Sequence, residues 1–402
     1  MTNSMRTGRR AASAGLALFA IGGRAARGQG TEIIIGAPNS MTGGLGESGR
    51  VVVNGLQLAV EEINAGGGIR SLGGARLRVI AADTSSDNPA QAASVTRRLI
   101  TENRCTALVG SHASTMTLSS QIEAERGGVP ILTTSYADQI VQRGYRFTFK
   151  IPAQSATFGK ANIDYAQRIF ADAGRSLKRI AVFYGSDAGN SANGRAEAEE
   201  VKKAELDLVA SGSVPSGMTD PTPLLGPVLA AKPDLLMANL VTIDMVLVIH
   251  ALRAVGLKMP ILTSGSGISV KSIPESLGGD ADGFMGTIAW SGDLPVPGVD
   301  AFAAKFIKAY PDQSFAPQEA GEGYAIGQII GAAIEAAGSA DPAKVRDAIA
   351  ASKVQTILPG GPVEFDEAGL SRHTVPIMVQ WQKGTLRTIW PKQYQTTAPI
   401  IG

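Results

Sequence analysis

The segment Pro130-Ile-Leu-Thr-Thr-Ser135 recurs as Pro260-Ile-Leu-Thr-Ser264-Gly265, and each copy closes the same local pattern. In the first half the apolar run 107–110 leads into helical periodicity over 115–125. In the second half 234–238 leads into 244–255. An apolar strand, a helix and a second apolar strand repeated in both halves predict two similar α/β lobes instead of one long domain. The segments before the first copy agree: a β-branched run at 32–37, a helical pattern at 51–64, a strand at 76–82, a helix at 89–102 and an apolar stretch at 105–110. Such alternation builds right-handed βαβ units around parallel sheets, and ligands bind beyond the carboxyl ends of such strands. Both echoed strands end in small, hydroxyl-bearing loops. Two such edges facing each other predict a cleft supplied with hydroxyls and backbone amides.

The length fits two lobes, because 402 residues exceed what one hydrophobic core usually serves. The N-terminus stands apart. Arg6, Arg9 and Arg10 precede the apolar run 11–23, and small residues follow at Ala25, Ala26 and Gly28. That run is too short to span a bilayer and fits the core of a signal peptide over residues 1–30, with either Sec or twin-arginine export leading out of the cytoplasm. Residues 1–28 hold five arginines and no acid, so the remainder carries 32 basic and 35 acidic side chains, a net charge near −3. The basic character belongs to the leader, and nothing points to nucleic acid or anionic lipid. No later apolar run is long enough to cross a membrane, so a periplasmic protein, soluble after cleavage, is expected. The single cysteine, Cys105, cannot form an internal disulfide and reads as a small core residue.

Particular residues carry a resemblance. Residues 35–40, Gly43 to Gly49, Asn54-Gly55, the run 59–69 (AVEEINAGGGI), Asp83 and 108–110 resemble the leucine/isoleucine/valine-binding protein family. Later pieces at 142–145, 254–257, Gly279-Asp280 with Gly283, and 361–369 agree, so the likeness runs from about 33 to 381. The resemblance implies an α/β chain of the type I periplasmic-binding-protein fold, with two Rossmann-like lobes, parallel sheets and a hinge of three crossovers. The expected boundaries are 31–152 plus 291–360 for lobe 1, 153–290 plus 361–395 for lobe 2, and 396–402 for a C-terminal tail. Hinge closure on a ligand is the expected motion.

The resemblance also implies a site. In the family the loop after the fourth strand binds a ligand carboxylate through a serine hydroxyl and backbone amides. The matching segment is 111–115, with Ser114 as that serine and His112, Ala113 and Thr115 beside it. The physics suits an anion, because unsatisfied helix-start N–H groups and the helix dipole favour negative charge; a plain helix cap by Ser114 or Thr115 uses the same amides. The loop after the next strand offers Ser135 and Tyr136, the latter equally readable as a packing aromatic. Three positions depart from the family. Ser48 precedes Gly49 where an aromatic is common, Ala188 precedes Gly189 where another is common, and Ser264 to Gly267 hold no acid to meet an ammonium. Glu319 is the candidate substitute anchor, or else a solvated helix-start acid. The candidate ligand-binding set is thus Ser48, His112, Ala113, Ser114, Thr115, Ser135, Tyr136, Gly267 and Glu319.

Enzymatic readings find little support. Gly44 to Gly49 match G-x-G-x-x-G, but the glycines do not close a strand-to-helix turn directly and the next strand-end acid, Asp83, lies too far along for a dinucleotide site. His112, His250 and His373 show no metal spacing, and no G-x-S-x-G elbow occurs. A non-enzyme without cofactor or metal is expected. The resemblance implies a monomeric subunit of an ABC importer, with permease and ATPase subunits of the branched-chain amino acid type as partners and an amino acid, an amide or urea-like compound, or a carboxylate as ligand. The alternative is a periplasmic sensory receptor signalling to a membrane partner.

Overall fold

The structure, a computed structural model, describes residues 32–401. The expected leader lies outside the described residues. The first sheet is formed by β1 (Ile33–Asn39), β2 (Leu77–Asp83), β3 (Ala107–Val109), β4 (Ile131–Thr133) and β5 (Thr148–Lys150). Helices α1 (Gly46–Ala65), α2 (Pro89–Thr101) and α3 (Ser114–Gly127) alternate with the first four strands. The order is β2-β1-β3-β4-β5 and every pairing is parallel. Helices cover both faces of such a sheet, which is why its strands read as unbroken apolar runs.

The second sheet grows through α4 (Ser155–Asp172), β6 (Arg179–Gly185), α5 (Ala188–Lys203), β7 (Asp207–Val214), α6 (Thr222–Ala231), β8 (Leu235–Asn239), α7 (Thr242–Ala254), β9 (Ile261–Ser264), α8 (Ser272–Leu277) and β10 (Met285–Ile288). Its parallel part runs β7-β6-β8-β9-β10, the order of the first sheet strand for strand. The two echoed segments are therefore the fourth strand of each sheet, β4 and β9. The chain then returns through α9 (Val299–Ala309), α10 (Gln318–Ala337) and α11 (Pro342–Ala350), with α10 packed along α1. It crosses a third time to add β11 (Ile377–Gln382) and β12 (Thr385–Trp390) as antiparallel strands beside β10.

Close backbone approach fixes how α10 lies on α1. A Cβ on Gly55 would stand 2.0 Å from the Ala320 carbonyl oxygen, and one on Gly323 would stand 2.2 Å from that of Val52. Only glycine permits this contact. It seats the first turn of α10, with Gln318, under the loop after β4. Around it Trp290 meets Phe302 edge-on and Tyr324 meets it at a tilt, with ring centroids 5.6 Å and 4.5 Å apart. Cys105 is buried, and burial pushes its thiol up to about 12, as expected of a core residue.

Candidate ligand-binding cleft

In both sheets strand order reverses beside the first strand, between β1 and β3 and between β6 and β8, and the loops there splay apart. The loop carrying Ser114 follows β3, the third strand, not a fourth. Its polar groups are tied down from several sides. The Asn39 side chain accepts from the His112 N–H at 2.8 Å, and the Ser111 carbonyl accepts from the hydroxyls of Thr133 and Ser135 at 2.9 Å and 2.7 Å. The single Ser135 hydroxyl hydrogen is shared with the His112 carbonyl, 2.8 Å away. The His112 ring contacts the Thr134 hydroxyl at 3.0 Å, and burial lowers its pKa to about 4, so the imidazole is neutral at neutral pH.

Ser114 does not cap α3. The cap position is Ala113, which makes no side-chain cap bond, and Ser114 Oγ instead accepts from the backbone N–H groups of Tyr136 and Ala137, each at 3.2 Å. With both contacts accepted, the hydroxyl hydrogen remains to be donated. Tyr136 packs on Phe158 at 5.0 Å and gives its hydroxyl hydrogen to Gln318 Oε1 at 3.2 Å. The same Gln318 oxygen accepts from the Ala289 N–H at 2.9 Å, so the loop after β4, the start of α10 and the chain leaving β10 meet at one side chain.

The facing wall comes from the second lobe. Asp187 caps α5 by accepting from the Asn190 N–H at 3.0 Å. One turn further on, Asn193 is buried and its Oδ1 has no hydrogen-bond partner. Four residues beyond, on the same helix face, Glu197 is fully buried and accepts from Asn162 Nδ2 at 2.6 Å, Asn239 Nδ2 at 2.5 Å and the Ser264 hydroxyl at 2.7 Å. Burial raises its pKa to about 7, and the three donors hold it from rising further. Ser264 to Gly267 contain no acid, yet a carboxyl group stands directly behind Ser264. The cue in the sequence is the four-residue spacing of Asn193 and Glu197 within a helical segment that begins at an Asp cap.

A cavity of about 40 Å³ lies where these walls meet, room for a few water molecules. Leu45, His112, Ser114 and Tyr136 line it from the first lobe; Asp187, Asn193, Ser264, Gly265 and Gly267 are among those lining it from the second. Larger hollows of about 340 Å³ lie elsewhere, one beside Arg253 and Asp280 and one beside Glu62 and Phe302, but neither gathers strand-end loops. The lobes touch around the cavity. Thr115 Oγ1 accepts from the Ala188 N–H at 3.3 Å, and Glu47 in α1 accepts from the Lys271 N–H at 3.1 Å and the Ser272 hydroxyl at 2.6 Å.

Of the expected residues, His112, Ser114, Tyr136 and Gly267 reach the cavity. Ala113, Thr115 and Ser135 sit in the same loops behind or beside it. Ser48 and Glu319 are buried in the first turns of α1 and α10, outside the cavity lining.

A family model described as "Periplasmic binding protein" matches residues 32–385. The chain belongs to the periplasmic binding protein family. It is similar to the Leu/Ile/Val-binding protein homolog 7 of Brucella abortus, with 26% identity over 90% of this chain and 92% of that one. In structure it is similar to a leucine binding protein LivK of Thermotoga maritima, with a TM-score of 0.78 and 22% identity over 89% of this chain and 97% of that one. It is also similar to a solute-binding protein of R. palustris in complex with benzoate, with a TM-score of 0.77 and 20% identity over 89% and 95%. The names of these relatives are those of binding proteins, in keeping with the family of this chain. Among the described residues no helix is long and apolar enough to cross a membrane.

Proposed function

We propose that this periplasmic binding protein is the extracytoplasmic subunit of an ABC importer, capturing a small organic solute between its lobes by hinge closure and passing it to permease and ATPase partners of the branched-chain amino acid type. The solute is an amino acid, an amide or urea-like compound, or a carboxylate. The observation that carries the reading is a cavity lined from both lobes, at the strand ends where open α/β sheets bind ligands. Its small volume with the lobes touching means that a larger solute enters as they part. The lobes are taken as 31–152 plus 291–360 and 153–290 plus 361–395, the protein acts as a monomer, and the leader is removed near residues 26–30. At the first-lobe wall, the Ser114 hydroxyl and the first amides of α3 suit a carboxylate or carbonyl oxygen.

A thermal-shift screen across the three solute classes tests this. A ligand at 100 times its Kd adds about 2.7 kcal/mol to native stability, a readily measured rise in Tm. Uniform Tm values across all three classes would count against a solute-binding role.

A further inference from the structure

Resting on the reading of the cavity as a solute site, we propose that Glu197 is a positioning residue that locks Ser264 as a hydrogen-bond acceptor, so that the second-lobe wall selects a ligand group bearing N–H bonds, an ammonium or a carboxamide. The argument is a count of hydrogens. Asn162 Nδ2 has two, and both stay within the wall: one goes to Glu197 Oε1 and one to Ser264 Oγ, each at 2.6 Å. Asn239 is oriented by accepting from the Ser264 N–H at 2.7 Å, which turns its Nδ2 onto Glu197 Oε2 at 2.5 Å. The single hydroxyl hydrogen of Ser264 goes to Glu197 Oε1 at 2.7 Å. When ionised, Glu197 has no hydrogen to return and accepts all three bonds. Ser264 therefore reaches the cavity it lines with a lone pair and no hydrogen. Below its raised pKa of about 7, Glu197 carries a proton that can pass to Ser264 Oγ, and the lock loosens.

Two further groups give this wall the same sense. Asn193 lines the cavity, and its buried Oδ1 has no partner, a costly state for an acceptor until a donor arrives. The Asp187 carboxylate, also in the lining, adds negative potential. Opposite them, the Ser114 hydroxyl offers a hydrogen and the start of α3 offers amides. Among the lining side chains, the first lobe thus offers the Ser114 hydrogen and the second the Ser264, Asn193 and Asp187 oxygens. A solute with an oxygen-rich end and a nitrogen-bearing end satisfies both walls, whereas a simple carboxylate satisfies one.

The Glu197→Gln variant tests the lock while keeping shape, because its amide nitrogen can donate to Ser264 Oγ and release the serine hydrogen toward the cavity. The probes are three matched pairs differing at the nitrogen: leucine and 4-methylpentanoate, alanine and propionate, acetamide and acetate. Calorimetry on the full chain at about pH 8, above the Glu197 pKa, should show wild type preferring the nitrogen-bearing member of a bound pair by about 10-fold or more, the worth of a hydrogen bond to a charged group. Glu197→Gln should bring that ratio within about threefold, Glu197→Asp should restore part of it, and Ser264→Ala should abolish it without touching the carboxyl group. The serine variant decides the matter if the glutamine variant fails to fold. A folded Glu197→Gln or Ser264→Ala protein that keeps the wild-type ratio overturns the proposal, as does a wild type that prefers the nitrogen-free member. Wild type binding none of the six compounds and giving no shift in the wider thermal-shift screen would instead overturn the solute-site reading, and this inference with it.

Discussion

Ser114 has two tasks in the structure, and its removal should register in both. Its oxygen satisfies two buried backbone N–H groups of the loop after β4, and its hydrogen faces the cleft. Ser114→Ala should weaken binding of the solute found by screening by roughly 10- to 150-fold, the worth of one hydrogen bond to a charged group. It should also lower stability by about 1–3 kcal/mol, because unsatisfied buried donors remain. Calorimetry and denaturant melts read the two effects separately, and unchanged affinity would remove Ser114 from the site. A second residue-scale prediction concerns pH. The folded state holds His112 neutral down to about 4, whereas the unfolded chain protonates it near 6.5, so its contribution to stability is lost as pH falls from 6.5 to 4. Glu197 runs the other way. Its folded pKa of about 7 lies above the ordinary 4.5, so stability fully present below 4.5 is lost as pH rises to 7. Each slope is on the order of 1.4 kcal/mol per pH unit, and the two offset between 4.5 and 6.5. Against wild type, His112→Gln should therefore lose stability as pH rises through that window and Glu197→Gln should gain it. Denaturant midpoints at three pH values check both signs, and curves parallel to wild type would show that neither group titrates as its burial implies.

Among the elements, the starts of α3 and α5 face each other so closely that a Cβ on Gly189 would lie 3.0 Å from Ser114 Oγ. Gly189→Val should hold these tips apart, weakening solute binding by roughly 5- to 150-fold, since overpacking a contact costs about 1–3 kcal/mol. The melting temperature should change little, because parting the lobes relieves the clash. An unchanged affinity would mean that the tips do not meet in the bound state. The same scale shows why a helix start was hard to read. Helical periodicity is visible only from residue 51, yet α1 begins at Gly46. Gly46, Ser48 and Gly49 look like loop, but the small residues serve contact: a Cβ on Gly49 would stand 1.8 Å from the Ser40 carbonyl oxygen. A glycine needed for close approach and a glycine in a flexible turn are the same letter.

For the whole molecule, the described arrangement already joins the lobes through Glu47, which takes two hydrogen bonds from the start of α8. Glu47→Ala should release that latch and weaken solute binding about 2- to 5-fold, a modest figure because the carboxylate is partly exposed. Small-angle scattering should show a larger radius of gyration for this variant than for wild type when neither holds ligand. Wild type should contract at saturating ligand. A radius that does not change at demonstrated saturation would contradict a large hinge motion.

The sequence by itself determined the fold class and the repetition of the two sheets, because buried parallel strands must be apolar throughout and the echoed strands occupy equivalent places in each order. The Ser114 loop was marked by the resemblance to the leucine/isoleucine/valine-binding protein family, with the helix-start amides as its physical support. Only the tertiary structure decided that Ser114 binds the neighbouring loop instead of capping its helix, and that Ser48 and Glu319 lie outside the cavity. It alone brought Asn162, Glu197, Asn239 and Ser264 together behind the second-lobe wall. Those four come from two helices and two strands that are distant in the chain. A hydrogen-bond network among them exists only where the folded chain makes them neighbours, so beyond the helical spacing of Asn193 and Glu197 no local pattern could announce it.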